Sequence, residues 1–297
     1  MALKVLVTGA AGVLGKRVVH ALRSANHDIL ASGRVAAECV DVPWDLSRVD
    51  ALAPQCNPDV VVHAAARVGG YQQALSEAGS LFDVNVTGTL RVANWCVERR
   101  VKRLVLVSSA IVYGEWTGAP KTEDDPVKPW VAGPYAVSKW CSEQVAWLIV
   151  GSGVELTILR LSSLYGDGYR RGLLQRFIGE VKREGTIFLE PPFDDGFDLL
   201  HVSDAARTVQ YAVENDKPGI WNVGSGALVT IQQLAGACAR HFDGRATFCD
   251  REANRPPRAI NWVHDQRARK ELGHACCTSL DLGIAKIADA LQGVTAD

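Results

Sequence analysis

The chain has 297 residues, 47% of them hydrophobic and 22% charged, with a net charge of −1. That length suits one large or two modest domains and is ample for a buried core. The near-neutral balance excludes a global field that would recruit nucleic acid or an anionic membrane, and no apolar run is long enough to span a bilayer.

The eight cysteines (Cys39, Cys56, Cys96, Cys141, Cys238, Cys249, Cys276 and Cys277) show neither C-x-x-C pairing nor metal-ligand spacing. Free thiols in a reducing cytoplasm and no bound metal are expected. The N-terminal MALKVLV runs straight into a glycine loop, so no leader is expected.

Residues 3–8 (LKVLVT) predict a buried strand. The run Gly9-Ala10-Ala11-Gly12-Val13-Leu14-Gly15 follows, and Leu14, Val18, Ala21 and Leu22 then keep helical spacing. Glycines between a strand and a helix are the context a dinucleotide fingerprint requires. Gly9 permits a tight turn, Gly12 a close approach to the pyrophosphate, and Gly15 close packing of helix on sheet. The second strand, DILAS (28–32), ends at Gly33-Arg34 and not at an acid. An arginine there suits a 2′-phosphate through a charge-assisted contact, so NADP is preferred over NAD.

Asp45-Leu46 follows a third short strand, where an adenine ring would lie. DVVVHAAA (59–66) predicts a fourth, ending in the small residues Ala64, Ala65 and Ala66. Residues 81–100 read as a helix with Asn85 turned inward. KRLVLVSS (102–109) predicts the strand that delivers Ser109, and a loop over 114–134 leads to a helix carrying Tyr135 and Lys139. LTILRLSSLYG (156–166) reads as one further strand, 168–185 as a basic amphipathic helix, 198–215 as strand then helix, and 220–226 as another strand. Strands alternating with helices at this length predict an α/β, Rossmann-type doubly wound parallel sheet. The expected division is a dinucleotide-binding domain over 1–166, with returning segments near 198–226, and a smaller substrate lobe over 167–297.

A tyrosine and a lysine four residues apart share one helix face. The ammonium of Lys139 is expected to favour the Tyr135 phenolate, lowering a pKa of about 10. A tyrosine so tuned can exchange a proton with a sugar hydroxyl, and Ser109 would orient that hydroxyl.

With these residues in view, the chain resembles an extended short-chain dehydrogenase/reductase of the NAD-dependent epimerase/dehydratase group. TGAAGVLG, HAAA, SSAIVYG, PYAVSK, LRLSSLYG, DLLHVSD and IWNVGSG match its landmarks in order over nearly the whole chain. The resemblance implies Ser109, Tyr135 and Lys139 as the catalytic set, with Lys139 also on the nicotinamide ribose. It implies cofactor contacts from Gly9, Ala11, Gly12, Val13, Leu14, Gly33, Arg34, Asp45 and Leu46, from the three alanines, and from Asn85, Ser108, Leu161 and Ser163. Substrate contacts are expected at Val68, Ala110, Ser163, Arg176 and Arg255. It also implies a homodimer through the helices near 81–100 and 135–150, where Trp140, Val145, Trp147 and Leu148 suit either a partner or the core.

Departures narrow the activity. Ala110 and Ile111 stand where dehydratases and decarboxylases of the group place acids, so both chemistries lose their proton carriers. Ser163 replaces an asparagine and Phe197 an arginine that nucleotide-sugar enzymes of the group use, which weakens the phosphate grip. The leading expectation is an NADP-preferring reductase of a nucleotide-linked deoxysugar ketone. The alternatives are a nucleotide-sugar 4-epimerase that retains NAD, a dehydrogenase of free sugars or small hydroxy compounds, and a non-catalytic NADPH-binding relative. SSAIVYG resembles the corresponding run of UDP-galactose 4-epimerases.

Overall fold

A computed structural model describes residues 1–48, 53–69, 75–116, 118–170, 172–249 and 258–293. The chain begins with β1 (Lys4–Thr8), α1 (Val13–Ser24), β2 (Asp28–Gly33), β3 (Val42–Pro43) and β4 (Val60–His63). A helical stretch follows: α2 (Ala78–Phe82), a π turn over Asp83–Thr87, and α3 (Gly88–Glu98). Then come β5 (Arg103–Ser109), a 3₁₀ turn over Ala110–Tyr113, α4 (Pro129–Ala132), α5 (Pro134–Trp147) and β6 (Glu155–Leu161).

The main sheet has seven parallel strands in the order β10-β6-β5-β4-β1-β2-β3, the strand β10 being Gly219–Val223. It is a Rossmann-like α/β fold. Side chains alternate across a strand, and the apolar runs exploit both faces. Val5, Val7, Val60, Val62, Val105 and Leu159 pack on one face with Val18, Val19 and Leu22 of α1. Leu6, Val61, Leu104, Leu106 and Ile158 pack on the other with Val92 and Trp95 of α3 and Ala146 of α5. Burial on both faces explains why these strands read as continuous apolar runs.

Strand order reverses between β1 and β4. In open parallel sheets that reversal opens a crevice at the carboxyl ends of the strands, and Gly9, Gly33, Ala64 and Ser109 all lie there. Gly9 has φ +73°, and a Cβ on it would sit 2.6 Å from the Ala65 nitrogen. A Cβ on Gly15 would run into the Gly9 carbonyl. Both positions therefore demand glycine. Gly15 thus protects the turn itself as much as the approach of α1 to the sheet.

The reading of 156–166 as one strand is corrected. β6 ends at Leu161, Ser162 bonds across to Val223, and β7 (Ser163–Tyr165) begins a second sheet. Next come α6 (Leu173–Glu184), β8 (Thr186–Leu189), β9 (Gly196–His201) and α7 (Val202–Glu214), ahead of β10. They are followed by β11 (Leu228–Thr230), α8 (Ile231–His241), β12 (Arg245–Phe248), β13 (Ala259–Ile260) and α9 (Leu280–Gly293). In the second sheet β9 pairs with β11 on one side and with β13 and β7 on the other. Phe177, Val181, Leu234, Cys238, Ile284 and Ile287 fill the core beneath it. Trp140 packs with Tyr113 and Val263, whereas Trp147 and Leu148 are exposed. Among the described residues no helix is long and apolar enough to cross a membrane.

Candidate active site

Two adjoining cavities share the glycine turn. One, of about 450 Å³, is lined by Ala11, Gly33, Arg34, Trp44, Asp45, Leu46 and Ala65. The other, of about 500 Å³, is lined by Val13, Leu14, Ser109, Tyr135, Lys139, Leu161 and Ser163. Gly9, Gly12, Ala64 and Ala66 line both. Helix α1 begins between them at Gly12, with no side chain capping its first turn. Free N–H groups at a helix start, flanked by two cavities, suit a dinucleotide: pyrophosphate on the turn, adenosine in one lobe, nicotinamide in the other.

Ser109 ends β5, and its Oγ accepts from the Ile111 nitrogen at 3.3 Å. Tyr135 and Lys139 lie one turn apart on α5. The Lys139 ammonium donates to the Val107 carbonyl at 2.7 Å, which fixes it against the strand that carries Ser109. Burial lowers Lys139 to about 8, partly offset by the carboxylate of Glu143. Tyr135 reverses the sequence expectation. Burial pushes its phenol up to about 12, with the neighbouring Tyr169 acting in the same direction. The ammonium engages the Val107 carbonyl, and its charge does not offset the desolvation of the phenol.

Several expected contacts lie elsewhere. Asn85 is buried in the π turn and lines neither cavity. Its Oδ1 accepts from the Arg67 nitrogen at 2.8 Å, and its Nδ2 donates to the Arg67 carbonyl and to Ser138. It therefore holds the cleft wall at Arg67. Ser108 reaches the cavity, but its hydroxyl is committed to Glu143 at 2.5 Å. Ala110 is fully buried with Val112, Tyr113 and Val263, because the 3₁₀ turn rolls it inward and presents Ile111 to the cavity. Arg176 stands on the outer face of α6, paired with Glu180 and stacked on Phe177. Arg255 lies outside the described residues. Val68 does line the cavity, and at 76% relative exposure it sits at the mouth.

Sequence reasoning missed Tyr169, Ile260 and Asn261 as lining residues and read Phe197 only as a lost arginine. All four come from the second half, whose segments approach the site only through the second sheet.

The model of the NAD dependent epimerase/dehydratase family matches residues 5–224. The putative UDP-glucose 4-epimerase of Methanocaldococcus jannaschii is 26% identical over 246 residues, covering 77% of this chain and 79% of that protein. The dTDP-glucose 4,6-dehydratase of Streptomyces griseus is 26% identical over 313 residues, covering 96% and 93%. Among solved structures, MoeE5 in complex with UDP-glucose and NAD superposes with a TM-score of 0.85 at 25% identity, covering 99% of this chain and 100% of that one.

Proposed function

The chain belongs to the NAD dependent epimerase/dehydratase family, and from that premise we propose that it is a nucleotide-sugar 4-epimerase that uses NAD. Ser109, Tyr135 and Lys139 would be its catalytic set. One observation carries the choice within the family. Among the described residues the lining of the catalytic cavity contains no carboxylate. Elimination of water needs a second proton carrier beside the tyrosine, and Ala110 and Ile111 cannot serve. Epimerisation needs only one group that takes a hydroxyl proton and returns it, and Tyr135 is that group.

The epimerase reading takes precedence over the reductase expected from Arg34. Relatives carry epimerase names, and the MoeE5 structure holds NAD. Arg34 shares its cavity with Asp45, whose carboxyl is held low by the Ser47 hydroxyl and is ionised at neutral pH. That negative charge opposes an added 2′-phosphate and balances the arginine.

A nicotinamide dinucleotide bound along the cleft would supply a reversible hydride acceptor. Ser109 would orient the hydroxyl at the reacting carbon, and Tyr135 would exchange its proton. Lys139 holds positive charge at the base of the site. Val68, Ile111, Leu164, Phe197 and Ile260 make walls with few polar anchors, which leaves a sugar free to turn over. The test is incubation of purified protein with UDP-glucose or UDP-galactose without added cofactor, followed by separation of the two sugars and identification of nucleotide released on denaturation. Interconversion with bound NAD is expected. An empty site and net consumption of NADPH with a 4-keto sugar would restore the reductase reading.

A further inference from the structure

The second sheet brings two side chains together that are 98 positions apart. Strand β9 carries β13 and β7 end to end along one edge: Ile260 is opposite Phe197, and Ser163 is opposite Leu199. Asn261 follows β13 at this junction with φ +54°. That left-handed conformation is tolerated by asparagine better than by most residues. It also ends the alternation of the strand, so the consecutive residues Ile260 and Asn261 both line the catalytic cavity.

The Asn261 Nδ2 donates to the Ser163 hydroxyl at 2.9 Å. Its Oδ1 is buried, and among the described residues it has no hydrogen-bond partner. Ser163 can engage only one end of the amide, so the other end is left over. A buried carbonyl without a donor is costly, and Asn261 is one of the residues lining the cavity that also holds Ser109 and Tyr135. A bound molecule that presents an O–H to this atom removes the cost, and an analogue without that group does not.

We propose that Asn261 is a specificity-determining residue that accepts a hydrogen bond from a hydroxyl of the hexose in the bound nucleotide sugar, with Ser163 fixing its amide. This rests on the nucleotide-sugar reading above. The hexose, and not the nucleotide, is assigned because Asn261 shares its cavity with Ser109 and Tyr135, whereas the adenosine end of the cleft lies beyond the glycine turn.

The test is calorimetric titration of the NAD-loaded protein with UDP-glucose and, separately, with UDP. Asn261→Gly removes the amide and accepts φ > 0 without strain, while Asn261→Asp keeps an acceptor at the same place. The readout is the ratio of the two affinities, since general damage weakens both ligands alike. Asn261→Gly is expected to lose about tenfold in UDP-glucose affinity, with UDP changed by less than about twofold. Asn261→Asp should retain the wild-type ratio. An unchanged ratio in Asn261→Gly, or equal weakening of both ligands, overturns the assignment while leaving the epimerase reading intact. Wild-type protein that binds neither ligand overturns the nucleotide-sugar reading, and this assignment with it.

Discussion

Glu143 reaches from α5 to β5, where the Ser108 hydroxyl donates to its Oε1 at 2.5 Å. The same carboxylate receives Arg160 Nε at 3.1 and 3.3 Å and Nη2 at 2.7 Å. Arg160 also donates to the Tyr113 hydroxyl, which donates in turn to Asn222. This buried chain links α5, β5, the 3₁₀ turn, β6 and β10, through residues next to Ser109 in sequence and one helical turn from Lys139. A buried ion pair adds little over apolar packing, but losing one partner strands the other. Glu143→Ala should therefore cost about 3–5 kcal/mol in urea unfolding. Arg160→Met combined with Glu143→Leu should cost less than Glu143→Ala alone. A double variant that is less stable than the single one would show that the contacts to Ser108 and Tyr113 dominate the charge term.

In the proposed epimerase chemistry Tyr135 would be the acid–base group. Tyr135→Phe keeps the ring and the packing against Ile111 and Ala136 but removes the transferable proton. Turnover of UDP-glucose should fall by about 10²–10⁴-fold, with NAD content and UDP-glucose affinity retained. Turnover within a factor of a few of wild type would remove Tyr135 from the acid–base role.

The glycine turn and the serine, tyrosine and lysine were legible because local sequence fixes them. A strand–glycine–helix order and a four-residue helical spacing survive any tertiary context. The cavity wall contributed by the second half of the chain was not legible. Ser163 begins a strand of a different sheet, although the run 156–166 shows no break in its apolar pattern. Asn261 meets it only because β13 and β7 share one edge of β9. The inward roll of Ala110 depends on a 3₁₀ turn that periodicity does not signal. The pKa of Tyr135 turned on where the Lys139 ammonium goes, and sequence spacing gives the face of the helix but not the acceptor.

His63 gives the fold a defined response to acid. Thr89 commits its hydroxyl proton to the Asn85 carbonyl, so it can only accept from His63 Nε2 at 3.0 Å. Nε2 therefore carries the imidazole proton, and Nδ1 accepts from Thr8 at 2.7 Å. Burial, with the Lys139 charge adding to it, lowers His63 to about 3. The unfolded chain binds a proton at this side chain below its ordinary value near 6.5, and the folded chain does not. Stability is thus full above pH 6.5 and is lost toward pH 3 by about 1.4 kcal/mol per pH unit from this residue. His63→Gln should flatten the slope of unfolding free energy between pH 6 and 4 by about that amount, whatever its effect at pH 7. An unchanged slope would place the acid sensitivity elsewhere.

Lys139 carries a burial cost inside the fold. Its folded value of about 8 lies below the ordinary 10.5, chiefly through burial. Below pH 8 the folded chain bears the full penalty of the buried ammonium. Between pH 8 and 10.5 the unfolded chain holds a proton that the folded chain has released, so stability rises with pH across that window. Lys139→Met removes a penalty of about 3 kcal/mol at pH 7. It also strands the Val107 carbonyl, at about 1 kcal/mol. The variant should be more stable than wild type by about 2 kcal/mol at pH 7, with epimerase turnover abolished. The gain should shrink as pH rises toward 10.5, because there the wild-type lysine is already neutral when folded. Urea titrations of both proteins at pH 7, 8.5 and 10 measure this directly. A variant less stable at pH 7, or a difference that does not change with pH, would mean that the lysine is not paying a desolvation cost in the folded chain.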